Sequence, residues 1–162
     1  MNIIIKNRFL LYKGYKFKCA IGRSGVKKNK IEGDNATPKG TFSLGKFYYR
    51  SDRIKKINTN LSCKKIRKDM GWCNDSKSKH YNKQIKINKK IKAEKLYRKD
   101  YKYNFFINIK YNSKKIKPYK GSAIFIHLTN NYKPTAGCIA LKKKDFLIVA
   151  KLLTKNSRIF IS

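Results

Sequence analysis

His127 closes the apolar run Ala123-Ile124-Phe125-Ile126, and Cys138 follows eleven residues later within Thr135-Ala136-Gly137-Cys138-Ile139-Ala140-Leu141. An unassisted thiol is largely protonated near neutral pH, and an imidazole that takes its proton is the usual route to a nucleophilic thiolate. The glycine before the cysteine lets the backbone turn tightly. It also admits a substrate carbonyl to the amides of Gly137 and Cys138, from which an oxyanion hole can be built. Read together, these residues predict acyl chemistry through Cys138 with His127 as base. The competing reading of an isolated cysteine is a small buried hydrophobe, so the surrounding residues have to decide.

They do so in three blocks. An apolar strand ending in His, a polar loop, then Thr135-Ala136-Gly137-Cys138 and an aliphatic run resembles the active-site signature of the L,D-transpeptidase (YkuD-like) catalytic domain. Upstream, Gly33-Asp34-Asn35-Ala36-Thr37-Pro38-Lys39-Gly40-Thr41-Phe42 resembles a second segment of the same family, in the expected order. Between them, Asp69-Met70-Gly71-Trp72-Cys73-Asn74-Asp75, with Tyr81-Asn82 after it, is similar to short single-domain bacterial members. The resemblance covers nearly the whole chain.

It implies a reaction and a set of roles. Cys138 would attack the carbonyl of the third residue of a peptidoglycan tetrapeptide, expelling D-alanine, and an amine of a second stem would resolve the thioester into a 3-3 or a 1-3 cross-link. His127 would carry the proton, and the amides of Gly137 and Cys138 would hold the oxyanion. The main-chain carbonyl of Leu128 would orient the imidazole, and the Thr135 hydroxyl would fix the loop. Trp72, Asn74, Tyr81 and Asn82 are candidates for the substrate cleft, although a buried indole and loop-stabilising Asx turns use the same residue types. Ala140 stands where many members carry Arg, which removes a common substrate contact and leaves nucleophile and base in place. Hydrolysis on the same fold, as an L,D-carboxypeptidase, is the alternative. The resemblance implies the periplasm or cell envelope, with a cytoplasmic start or unconventional export as the alternative.

Composition alone points elsewhere. The chain holds 42 Lys+Arg against 8 Asp+Glu, a formal charge of +34, so any polyanion will be attracted non-specifically. A non-catalytic basic polyanion-binding protein is therefore a further alternative. Yet Lys outnumbers Arg 35 to 7 and is dispersed from Lys6 onward, whereas bidentate readout of bases favours Arg. No specific nucleic-acid partner is expected.

The elements that must position the site read as mainly β, a single domain over 1–162 with one or two helices, and the resemblance implies a mixed β-sandwich of the L,D-transpeptidase type. Strand-like runs cover Met1–Tyr12, Tyr15–Ile21 after a turn at Lys13-Gly14, Thr41–Tyr49, Tyr103–Tyr111, Ser122–His127 and Arg158–Ile161. Phe146, Val149, Ala150 and Leu153 recur at helical spacing, predicting a helix over Lys142–Leu153. The Lys- and Asn-rich stretch around 50–97 reads as a lid or insertion beside the site. Four cysteines at 19, 63, 73 and 138, with two histidines, show no metal-ligand spacing, so no cofactor is expected. No apolar stretch is long enough to span a bilayer, and the N-terminus reads as a strand and not as a secretory leader.

Overall fold

The computed structural model describes residues 2–55 and 59–162; Met1 and part of the 50–97 stretch fall outside that range. Side-chain alternation sets the first strand, β1 (Ile3–Lys6), in which Ile3 and Ile5 are buried and Ile4 faces solvent. The remaining strands are β2 (Phe9–Tyr12), β3 (Tyr15–Lys18), β4 (Val26–Lys27), β5 (Thr37–Pro38), β6 (Gly40–Tyr49), β7 (Cys63–Lys65), β8 (Met70–Cys73), β9 (Gln84–Lys86), β10 (Ala93–Lys95), β11 (Phe105–Ile109), β12 (Phe125–Leu128), β13 (Ile139–Leu141) and β14 (Arg158–Ile161). One helix, α1, spans Lys143–Leu152. The fold is mainly β, as expected, with a single helix among the described residues.

The run expected as one strand from Met1 to Tyr12 is instead a hairpin of β1 and β2. Asn7 and Arg8 turn it with φ of 50° and 62°, the left-handed pair that a tight hairpin turn needs. No glycine marks the turn, which is why the sequence reads straight through it. The next turn repeats the geometry at Lys13 and Gly14, with φ of 49° and 82°.

Nine strands form one mixed sheet in the order β13-β12-β11-β6-β14-β1-β2-β3, with β7 beside the second half of β6. The sheet does not end in two free edges. Just past β3, Ala20 and Ala140 of β13 exchange both backbone hydrogen bonds, at 2.8 and 2.9 Å. The sheet therefore folds over until its ends meet next to Cys138. Inside lies the main core, with Ile3, Ile5, Phe47, Phe105, Ile126 and Phe146 all at 1 % exposure or less. Phe146, Val149 and Ala150 bring one face of α1 into it, and Leu153 follows just beyond the helix. The helix's last carbonyls are met by side chains: Thr59 Oγ1 donates to Ala150 O at 2.7 Å and Asn60 Nδ2 to Leu153 O at 3.3 Å.

A second, smaller core sits against the other face of β11 and β12. The 50–97 stretch supplies much of it: β10, β8 and β9 form a three-stranded antiparallel sheet whose Met70 and Trp72, with Leu96, pack against Phe106 and Phe125. β9 and β10 are three residues long and each carries one lysine outward, and the four residues of β8 are all buried, so they leave little periodicity to read.

Candidate active site

Parallel pairing of β12 and β13 brings the two candidate residues, His127 and Cys138, onto neighbouring chain segments. His127 is opposite Ala140 in the register, and Cys138 is the last residue before β13. Both line one cavity of about 190 Å³, and His127 also lines a second of about 390 Å³ on its other side. Tyr103, Thr135 and Ala136 complete the partition between the two.

The loop that carries Cys138 is fixed from both sides. Thr135 Oγ1 donates to Cys138 O at 2.5 Å and accepts from the Gly137 amide at 3.1 Å. Gly137 has φ of 138°, and a Cβ there would lie 2.8 Å from the Ala36 carbonyl oxygen. Only glycine allows both the backbone angle and that approach. Ala36 belongs to the upstream block, whose backbone also passes so close to Gly22 that a Cβ there would meet Asn35 O at 2.4 Å. Thr37, fully buried, accepts the Gly22 amide at 2.8 Å. The two sequence blocks thus meet backbone to backbone at the cysteine.

His127 is 8 % exposed, and its Nδ1 lies 2.9 Å from Leu128 O. A carbonyl can only accept, so Nδ1 carries the proton and Nε2 is left with its lone pair. Burial pushes the imidazole down to about 4, opposed by that carbonyl and reinforced by Lys102 and Arg98. Cys138 is 9 % exposed. Its thiol donates to Ala123 O at 3.3 Å and accepts from the Phe125 amide at 3.3 Å. Burial pushes the thiol up to about 12, and the Glu94 carboxylate adds to the rise. Both groups are therefore neutral at pH 7, and the thiol points at a carbonyl and not at the imidazole. Such a pair can act only when a bound acyl group turns the thiol and draws its proton to Nε2 as the carbon–sulfur bond forms.

Of the residues proposed from sequence for the cleft, Asn74 lines the first cavity. Trp72, Tyr81 and Asn82 are buried behind it, at 7 %, 2 % and 7 % exposure. Trp72 packs edge-on against Tyr48 and Phe125 and donates Nε1 to Asn82 Oδ1 at 2.9 Å. The same Oδ1 accepts the Ala123 amide at 3.1 Å, while Asn82 Nδ2 donates to Tyr111 O and Asn112 O at 3.0 and 2.8 Å. The Tyr81 hydroxyl accepts the Gly121 amide at 2.9 Å and donates to Glu32. These three side chains brace the 121–123 segment, and Ala123 in turn holds the thiol. Ala123 itself has φ of 52°, a conformation an alanine keeps only where its surroundings enforce it.

Sequence reasoning passed over Glu32, Glu94, Tyr103 and Ala123. Tyr103 stacks edge-on against the His127 ring at 5.4 Å and donates its hydroxyl to Glu94. The available signal was compositional: only two glutamates occur in the chain, and both line the Cys138 cavity. Among the described residues there is no group of His, Cys, Asp and Glu able to hold a metal ion, and all four cysteines are free thiols. No helix of the described residues is long and apolar enough to cross a membrane.

A search of curated proteins found no match. A family profile for the L,D-transpeptidase catalytic domain, YkuD, matches residues 4–161. The family is one of peptidoglycan-acting enzymes, generally associated with the cell envelope. With the profile spanning nearly all of its length, the chain belongs to the L,D-transpeptidase (YkuD) family.

Proposed function

We propose that this protein is a peptidoglycan L,D-transpeptidase that works by cysteine acyl transfer. The observation that supports this reading best is the shared cavity of Cys138 and His127, with the imidazole tautomer set by Leu128 O so that Nε2 is the free base. A tetrapeptide donor presents the carbonyl of its third residue to Cys138. The carbon–sulfur bond forms as the thiol proton passes to Nε2, the carbon–nitrogen bond to D-alanine breaks, and Nε2 returns the proton to the departing amine. The acceptor amine then attacks the thioester, giving up a proton through the imidazole while the sulfur leaves and is reprotonated. The cross-link is 3-3 or 1-3 according to which acceptor amine attacks. The Gly137 amide is engaged by Thr135, so the Cys138 amide is the main oxyanion donor and Gly137 joins only if the threonine hydroxyl releases it.

Asn74 and Glu94 reach the cavity from the 50–97 segment, which supports its role as one wall of the cleft. The second cavity, lined by Lys102, Lys133 and Ala140 together with Arg98 in its pair with Asp100, suits a carboxylate. Its lysines take the place of the arginine that many relatives carry at the Ala140 position.

The test is incubation with a disaccharide tetrapeptide, following D-alanine release, intact mass and stem dimers for the wild type and Cys138→Ala. Wild-type release with a tripeptidyl adduct and dimer is expected. Release without dimer assigns hydrolysis instead, and release unaffected by Cys138→Ala overturns the cysteine mechanism.

A further inference from the structure

In a chain with 42 basic residues the only two glutamates, Glu32 and Glu94, converge on one cavity of about 190 Å³. Their partners hold only one oxygen each. Glu32 Oε2 accepts from Ser122 Oγ at 2.8 Å and from Tyr81, and Glu94 Oε1 accepts from Tyr103. Among the described residues the second oxygen of each carboxylate takes no hydrogen bond from protein. The cations nearby have carboxylate partners of their own: Lys30, on the cavity wall, pairs with Asp34 at 2.7 Å, and Arg98, whose charge also reaches Glu94, pairs with Asp100 at 2.5 Å. A separate observation points the same way. Asn74 Oδ1, on the same cavity wall, is a buried acceptor with no partner, and a buried polar atom left unsatisfied is unfavourable until something donates to it. Three acceptors, two of them like-charged, belong to side chains that line one small cavity.

We propose that Glu32, Glu94 and the Asn74 side-chain carbonyl form a subsite for a primary ammonium group of the wall peptide that reacts at Cys138. The assignment rests on the transpeptidase reading for the identity of the peptide, and on the acceptor geometry for the ammonium. An ammonium supplies three donors and one positive charge, which matches the three acceptors and relieves the repulsion between the carboxylates. It also couples recognition to chemistry. The Glu94 charge is one of the influences that hold the Cys138 thiol neutral, so a cation beside it makes the thiolate easier to form only when the correct peptide is bound.

The experiment measures binding by calorimetry to the Cys138→Ala protein, which cannot turn over. The probes are a stem tetrapeptide with lysine at its third position, its Nε-acetyl form, and its Nε-methyl form, which keeps the charge while adding bulk. The free and methylated amines are expected to bind roughly tenfold tighter than the acetylated peptide, the scale of a charge-assisted hydrogen bond in a cleft. Adding Glu94→Gln or Glu32→Gln should shrink that preference severalfold. Glutamine keeps a carbonyl oxygen for the tyrosine hydroxyl, and the acetyl comparison itself needs no change at either glutamate. Equal affinity for all three forms in both the tetrapeptide series and the same series built on stem tripeptides, or a preference that survives both glutamine variants, overturns the subsite even where the wild type releases D-alanine. A preference without any D-alanine release leaves the subsite standing and removes the transpeptidase reading. Repeating the series with stem tripeptides, which can only accept, identifies the source: a preference confined to tetrapeptides places the ammonium on the donor, and one confined to tripeptides places it on the acceptor.

Discussion

The buried imidazole predicts a specific loss of stability in mild acid. An unfolded chain protonates His127 near its ordinary value of 6.5, whereas burial delays protonation in the fold to about 4. Between those values the unfolded state binds more protons, so stability falls as pH falls through that window and is present in full above it. Each pH unit is worth 1.36 kcal/mol at the steepest, and the 2.5-unit gap gives about 3 kcal/mol in all. Between pH 7.5 and 4.5 most of it, about 2 to 3 kcal/mol, should be lost. Replacing His127 with asparagine keeps an N–H near Leu128 O and removes the titration. Urea unfolding can be followed by the single tryptophan, Trp72, which is 7 % exposed and reports on burial. The quantity of interest is the difference between wild type and His127→Asn at each pH. Glu94, whose buried carboxyl is raised, works in the opposite direction over an overlapping range but is present in both proteins and cancels. Wild type should lose about 2 to 3 kcal/mol more than the variant on acidification. Parallel pH curves for the two proteins would refute the argument, because they would mean that the folded imidazole accepts a proton as readily as the unfolded one.

Gly137→Ala adds a Cβ 2.8 Å from Ala36 O at φ of 138°. It should destabilise by about 2 to 4 kcal/mol and cut D-alanine release by about a hundredfold or more, read by thermal melting and product assay; a wild-type melt and rate would contradict the close approach. Asn82→Asp replaces two donors with a buried anion and leaves Tyr111 O and Asn112 O unpaired. A loss of about 3 kcal/mol is expected by urea titration, and a change within 0.5 kcal/mol, the scale of a neutral surface substitution, would show that the bracing is dispensable. Phe146→Ala empties a site at 1 % exposure between Phe47 and Phe105 and should lose about 3 to 5 kcal/mol, with a wild-type melting temperature counting against the packing. A carbapenem offers the thiol a strained acyl group and should leave one adduct on the intact mass of the wild type and none on Cys138→Ala. An adduct that persists in Cys138→Ala would show that another of the cysteines reacts.

What could be read in the chain was local. The histidine, the Gly-Cys turn and the upstream block are each continuous in sequence, and the helix announces itself because Phe146, Val149, Ala150 and Leu153 repeat with the helical period. The Asn7-Arg8 turn was not legible, since two ordinary residues there adopt angles usually left to glycine. Glu94 was not legible for a different reason. It lies 44 residues before Cys138 in a lysine-rich stretch, and only the packing of the small sheet against β12 carries it to the cavity. Trp72, Tyr81 and Asn82 were noticed for the right chemistry, polar and aromatic groups near a site. Sequence carries no sign of which way a side chain faces, and these turn inward to hold Ala123.

The place of β14 in the sheet bears on how the molecule is made. It lies between β6 and β1, so the β1-β2-β3 meander joins the rest of the main sheet through residues 158–161 on one side and through the Ala20–Ala140 bridge on the other. Both junctions pair residues far apart in the chain, and pairings so distant form slowly. The Ala20–Ala140 junction lies two residues beyond Cys138. The loop that carries Cys138 therefore borders one of these long-range pairings, and its geometry depends on a contact that the local sequence does not supply.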